Sequence, residues 1–220
     1  MNKNNVATIK GTVISDIEFS HETHGEKFHK GIIKTERTSG DCDLIMFFIP
    51  EILLVTDLKG KKISITGELR SDTRNENIDT YGKIQINYIF VNSFEIVNEY
   101  EEDEDEITLN GFVCFSHIKE TAKTKRYLSE VMIATDRGKY NRSDYSLCLF
   151  WGRNAVFVSK LPIGTKISIK GRVQSRYYNK DGRRVNAIEV SVKEIISYEK
   201  PEEKEGKKDE ENEIKNATIE

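Results

Sequence analysis

The sequence predicts an all-β protein made of two small five-stranded barrels in tandem, each with one short helix between its third and fourth strands. Three observations predict it: an internal repeat, strand-like patterning within each copy, and a composition poorly suited to one large core. Hydrophobic residues make up 37% of the 220 and charged residues 32%, which favours small domains with wet surfaces over a single large interior. A chain of this length accommodates two domains of about 100 residues, a common size.

The repeat is visible in two places. KGKKISITGELRS at residues 59–71 and PIGTKISIKGRVQS at residues 162–175 share KISI-x-G. ATIKGTVISDI at residues 7–17 matches ITLNGFVCFSHI at residues 107–118, with Gly11 opposite Gly111. Each half therefore opens on a glycine-bearing strand and carries a second one, at Gly67 and Gly171, where a barrel strand must bend or bulge.

In the second half, residues 108–115, 128–135, 145–151, 166–178 and 185–196 are rich in β-branched and aromatic side chains or alternate apolar with polar, the pattern of strands. Residues 153–161 read as one short helix, and NKDG at 179–182 as the turn of a long hairpin. Five strands with a helix between the third and fourth is the order of an OB-fold barrel.

Charge divides the chain more sharply than its net of -3 implies. Residues 1–98 hold 12 Lys+Arg and 14 Asp+Glu, residues 107–200 hold 18 and 8, and EYEEDEDE at 99–106 holds seven acids and no base. The acidic run is expected to repel itself into an extended linker between domains 1–98 and 107–200. Residues 201–220, almost free of apolar side chains, are expected to be a disordered acidic tail. Linker and tail are read as solvated spacers, or alternatively as segments that fold over the basic second half and compete with its ligand.

The strand at 166–178 carries the binding signal. At period 2, Ile167, Ile169, Gly171 and Val173 share one face, and Lys166, Ser168, Lys170, Arg172, Gln174, Arg176 and Tyr178 the other. A groove that tracks single-stranded nucleic acid needs cations for phosphates and rings for bases. Tyr140, Tyr145 and Trp151 lie on or beside the third strand, and Lys180, Arg183 and Arg184 at the hairpin tip. Parity places Tyr145 and Trp151 on one face with Leu147 and Leu149 without saying which face is inside, so Trp151 reads equally as core or as stacking ring. Tyr177, opposite in parity to Tyr178, reads as packed.

The stretch YSLCLFWGRNAVFVSKLPIGTKISIKGRVQSRYYNKDGRRVNAIEV resembles the later part of the bacterial single-stranded DNA-binding protein family: an aromatic-rich strand, an aromatic-Gly-basic triplet, a short helix, a Gly-bearing basic strand and a DG hairpin. The resemblance implies an OB fold, base stacking on Tyr145, Trp151 and Tyr178, with Tyr140 less securely placed, and phosphate contacts from Arg172 and Arg176. It also implies single-stranded DNA as partner, a role in replication, recombination or repair, replication or recombination proteins as possible further partners, and a homodimer of two-barrel chains. The chain departs from the family in ending KNATIE, where the family has an acidic tip closed by Pro-Phe. It departs too in the first half, where Thr66, Glu68, Arg70 and Asp72 stand opposite Lys170, Arg172, Gln174 and Arg176. The first barrel is expected to have a degenerate binding face. The alternative readings are an accessory protein that docks through this barrel and an RNA-binding module.

No enzyme is expected. There is no P-loop or GxGxxG, no nucleophile–base grouping, and the acidic run is too mobile to position paired carboxylates. His21, His24 and His29 fall in HETHGEKFH, read as a solvated loop with incidental metal binding as the alternative. Cys42, Cys114 and Cys148 have no CxxC spacing. No cofactor or metal is expected, and with no apolar leader or spanning run in the sequence the chain is expected in the cytoplasm, associated with the nucleoid.

Overall fold

The computed structural model describes residues 4–54, 56–75, 83–138, 142–180 and 182–202. It is an all-β chain. The first half contains β1 (Asn5–Val13), β2 (Glu18–Thr23), β3 (Glu26–Glu36), β4 (Cys42–Pro50), β5 (Lys62–Asn75) and β6 (Lys83–Ile96). The second contains β7 (Glu104–Glu120), β8 (Tyr127–Asp136), β9 (Ser143–Trp151), β10 (Lys166–Lys180) and β11 (Arg183–Glu199), with helix α1 (Arg153–Val158) between β9 and β10. Among the described residues no helix is long and apolar enough to cross a membrane.

Strand pairing closes a ring in each half. β1 pairs with β3 and β5, β3 with β4, β4 with β6 in parallel, and β6 with β5. The second half repeats this with β7, β8, β9, β11 and β10, again with one parallel pair, β9 with β11. Closure removes exposed strand edges. The alternation read from the sequence decides what goes inside: on β1, Asn5, Ala7, Ile9, Gly11 and Val13 are buried and the residues between them half-buried. Ile33, Phe47, Ile65 and Ile89 complete the first interior, and Ile107, Ile133, Phe150, Ile169 and Val190 the second. Each such side chain contributes about 1.5–3 kcal/mol by leaving water.

Two glycines show why the repeat preserves them. A Cβ at Gly111 would meet the Ala134 carbonyl, and one at Gly171 the Ser191 carbonyl; both are backbone atoms that cannot step aside.

The halves differ in detail. The first strand of the repeat is continuous in β7, with an irregularity between Val113 and Phe115, but is broken into β1 and β2 in the first half. There the Ser15 hydroxyl accepts the Ile32 N–H at 2.9 Å, taking the place of a backbone acceptor. Where a helix is expected in the first half, a single 3-10 turn, Glu51–Leu53, stands among the described residues. HETHGEKFH is not a loop but a hairpin of β2 and β3, in which His21 stacks on Phe28 with ring centroids 5.1 Å apart.

The acidic run 99–106 also departs from a free spacer. Its last three residues open β7, which pairs antiparallel with β1, Thr8 opposite Glu106 and Lys10 opposite Glu104. Lys10 holds Glu101 at 2.9 Å, Lys62 holds Asp103 at 2.7 Å, and Lys170 holds Glu106 at 2.9 Å. Cations from both halves neutralise the repulsion that would otherwise extend it. Of the expected tail, residues 203–220 lie outside the described residues.

Where the halves meet, the duplication builds the same junction twice. Asp43 on β4 accepts Arg37 Nε at 2.7 Å and the Ser175 N–H at 2.6 Å, Ser175 Oγ accepts the Leu44 N–H at 2.9 Å, and Asn186 Nδ2 donates to the Leu44 carbonyl at 3.0 Å. In the mirror position, Asp144 on β9 accepts Arg137 Nε at 3.0 Å and the Ser71 N–H at 2.8 Å. There Ser71 Oγ accepts the Tyr145 N–H at 2.9 Å and Asn87 Nδ2 donates to the Tyr145 carbonyl at 3.2 Å. Burial works against the Asp43 charge, but the Arg37 guanidinium, the Ser175 N–H and Arg172 outweigh it and hold its carboxyl below the usual range.

Candidate nucleic-acid interface

β9 points its two outward aromatics into solvent. Tyr145 and Trp151 are each 43% exposed, whereas Asp144, Ser146, Cys148 and Phe150 face inward. This settles the parity left open by the sequence. Trp151 stands opposite Leu128 and Tyr145 opposite Ala134 across the β8 ladder, so the two rings lie six residues apart on one face, roughly 20 Å along the strand. Tyr140 lies outside the described residues.

The polar face of β10 is outward, as its period requires, yet Lys170, Arg172 and Arg176 on it are engaged. Lys170 pairs with Glu106. Arg172 donates from Nη1 to Asp43 Oδ2 at 2.9 Å and from Nη2 to Gln174 Oε1 at 3.1 Å. Arg176 donates from Nε to the buried Glu189 at 2.8 Å. That bond is the main reason its guanidinium holds its proton more firmly than usual. Gln174 reaches Glu189 as well, at 3.4 Å. Part of this stripe, with Ser175, thus forms the seam against the first half. At its far end the two tyrosines exchange the roles expected of them: Tyr177 is 45% exposed and lies under the Arg184 guanidinium, 4.1 Å from the ring centroid, while Tyr178 is half-buried with Arg176 at 5.4 Å. Strand twist near the tip carries Tyr177 off the packed side. The side chains of Lys180 and Arg183 lie outside what is described; Arg184 is exposed.

A second set of cations, not singled out by sequence pattern, surrounds an open pocket of about 610 Å³ where the β7–β8 turn meets α1. Tyr127, Val156 and Phe157 line it, and Lys125, Arg126, Arg153 and Lys160 rim it. No ion pair holds these four among the described residues. The pocket adjoins Trp151, since Gly152 N–H donates to the Tyr127 carbonyl at 2.9 Å. Their scatter between residues 125 and 160 hides the cluster from any reading by strand parity; only the turn and helix being neighbours reveals it.

The first half carries a groove of about 1320 Å³ that the comparison of Thr66, Glu68, Arg70 and Asp72 with β10 did not foretell. Phe28, Phe48, Tyr88 and Phe90 form its aromatic wall, with Phe48 and Tyr88 centroids 4.4 Å apart and the Arg70 guanidinium 3.5 Å above Phe90. It continues across the junction past Arg142 to Tyr145. These aromatics come from β3, β4 and β6 at positions where the second half has no ring to align with, so strand-by-strand comparison passes over them.

Among the described residues no group of three or more His, Cys, Asp or Glu is arranged to hold a metal. Of the cysteines, Cys42 and Cys114 are exposed, and burial pushes the Cys148 thiol far up. A closed strand ring whose outer surface bears exposed rings, and cations with no ion pair among the described residues, has the build of a binding module.

Residues 104–198 match the Single-strand binding protein family. The wild-type single-stranded DNA binding protein from Thermus aquaticus shares the fold with a TM-score of 0.68 at 13% identity, over 92% of this chain and 95% of that one. A deletion mutant of the Thermus aquaticus protein gives the same score and identity over 93% and 97%. The N-terminal domain of PriB protein from Thermoanaerobacter tencongensis is 32% identical over 44% of this chain and all of that one, with a TM-score of 0.37. No curated protein matches the chain.

Proposed function

We propose that this chain binds single-stranded DNA without sequence preference and without chemistry, on two OB-fold barrels in tandem, as part of replication, recombination or repair. The observation that carries the reading is Trp151, half-exposed beside a pocket whose four rim cations meet no anion among the described residues. Bases stack on Trp151 and Tyr145, and phosphates meet Lys125, Arg126, Arg153 and Lys160. The match of residues 104–198 to the Single-strand binding protein family supports the ligand class. Of the residues singled out by pattern, Lys170, Arg172 and Arg176 serve the junction and the barrel wall first, and Gln174 with them; Tyr178 and Arg184 lie toward the hairpin tip.

Titrating oligo-dT against the intrinsic fluorescence of Trp151, the single tryptophan, tests this directly. Strong quenching reversed by added salt is expected; unchanged fluorescence with no mobility shift would sink it. Competition by oligo-U separates DNA from RNA.

The first-half groove favours one addition: it lengthens the same path, taking bases along the wall of Tyr88 and Phe90. This replaces a degenerate face with one of different composition, richer in aromatics and near-neutral in charge. A dimer of such chains is the assembly proposed, and gel filtration giving a monomer at micromolar concentration would remove it.

A further inference from the structure

Duplication supplies an internal control for one buried carboxyl. Ala7 stands opposite Gly67 on β5 and Ile107 opposite Gly171 on β10, so Asn5 and Asp105, each two residues earlier, occupy equivalent places. Asn5 makes two bonds to one residue: its Oδ1 accepts the Leu69 N–H at 3.0 Å and its Nδ2 donates to the Leu69 carbonyl at 2.7 Å. Asp105 makes only the first, its Oδ1 accepting the Val173 N–H at 2.8 Å. Its Oδ2 is shut away from solvent with no hydrogen-bond partner. An amide can accept and donate at this place, and so can a carboxylic acid, but a carboxylate can only accept.

We propose that Asp105 holds a proton in mildly acidic solution and donates it from Oδ2 to the Val173 carbonyl, so that it positions β10 at the junction as Asn5 positions β5. Loss of the proton turns the second bond into a repulsion between two buried oxygens and loosens the strand that bears Arg172 and Gln174. The surrounding charges fit. Asp43 on β4 faces Asp105 and opposes its ionisation, while Arg37 after β3, Arg172 on β10 and Lys193 on β11 favour it. Arg37 and Arg172 are already bonded to Asp43. On its own strand, Glu104 and Glu106 are turned toward Lys10 and Lys170. Burial, the largest influence, pushes the Asp105 carboxyl up to about 7.

The sign follows. With a folded pKa near 7 and an unfolded one of about 3.9, only the folded chain holds the proton between those values, so its stabilisation is fully present below about 4, falls as pH rises from there, and is gone above 7. Thermal unfolding of the full chain between pH 5.5 and 8.5 is the test. The midpoint of Asp105→Asn should gain on that of the parent by a few degrees between pH 5.5 and 7 and keep that lead to pH 8.5, and Asn5→Asp should acquire a downward pH slope that the parent lacks at that site. In the infrared difference between parent and Asp105→Asn at pH 6, a carboxylic-acid carbonyl band should appear, and it should fade by pH 8.5. A pH-independent difference in midpoint, or no acid band at pH 6, would overturn the proposal. If Asp105→Asn does not fold, the same band followed in the parent across the pH range decides.

Discussion

The outward stripe of β10 and the rim beside α1 carry similar charge, and they differ in what that charge already touches. Lys170, Arg172 and Arg176 each meet an acid of this chain, Glu106, Asp43 and Glu189. Lys125, Arg126, Arg153 and Lys160 meet none among the described residues. An incoming phosphate must displace an existing partner at the first group and only water at the second. Formal charge on a strand face is therefore a poor measure of charge available to a ligand, because a buried carboxylate such as Asp43 can claim it from across a junction.

The largest effect that could break this contrast is at Asp43. Asp43→Ala would leave Arg37 and Arg172 without their shared, buried anion, and breaking such a pair costs about 3–5 kcal/mol. Denaturant unfolding should show a loss of that order; a neutral result would mean that Arg172 is not held there. Next comes Trp151→Ala, which should weaken oligo-dT binding by roughly 1–3 kcal/mol, the worth of one stacked base, read by anisotropy of a labelled oligonucleotide. An unchanged affinity would return Trp151 to a packing role.

Salt dependence sharpens the comparison further. Each phosphate contact on a single strand contributes about 0.7 to the slope of log affinity against log salt. Arg153→Ala or Arg126→Ala should lower the slope by about that much. Lys170→Ala, which only frees Glu106 at an exposed site, should leave it unchanged. The reverse pattern, with Lys170 changing the slope and Arg153 not, would transfer the phosphate path back to β10.

Much of the second half was legible because strand parity and turn residues are local properties. β8 to β11 fall where alternation and the NKDG turn place them, and the glycines of the repeat are kept where backbone carbonyls crowd them. The first half misled where one strand was replaced by two, since the Ser15 hydroxyl interrupts the ladder without any change in apolar pattern. The candidate site was half legible. Trp151 and Tyr145 were found by type and spacing, but their outward direction was not, since β9 has apolar residues on both faces. Phe48, Tyr88 and Phe90 form a wall only when β4 and β6 become neighbours through a parallel pairing that joins distant segments.

The sequence by itself determined the duplication, the all-strand character, the interior set of each strand and the residue types able to stack on a base. The tertiary structure alone decided which cations pair among the described residues, that the acidic run 99–106 is drawn in by lysines of both halves, and that Asp105 stands in for an asparagine. The physical reason is common to all three. Parity assigns a side chain to a face from its neighbours in the chain, whereas pairing and burial depend on what covers that face, and here the covering group lies in the other half of the molecule.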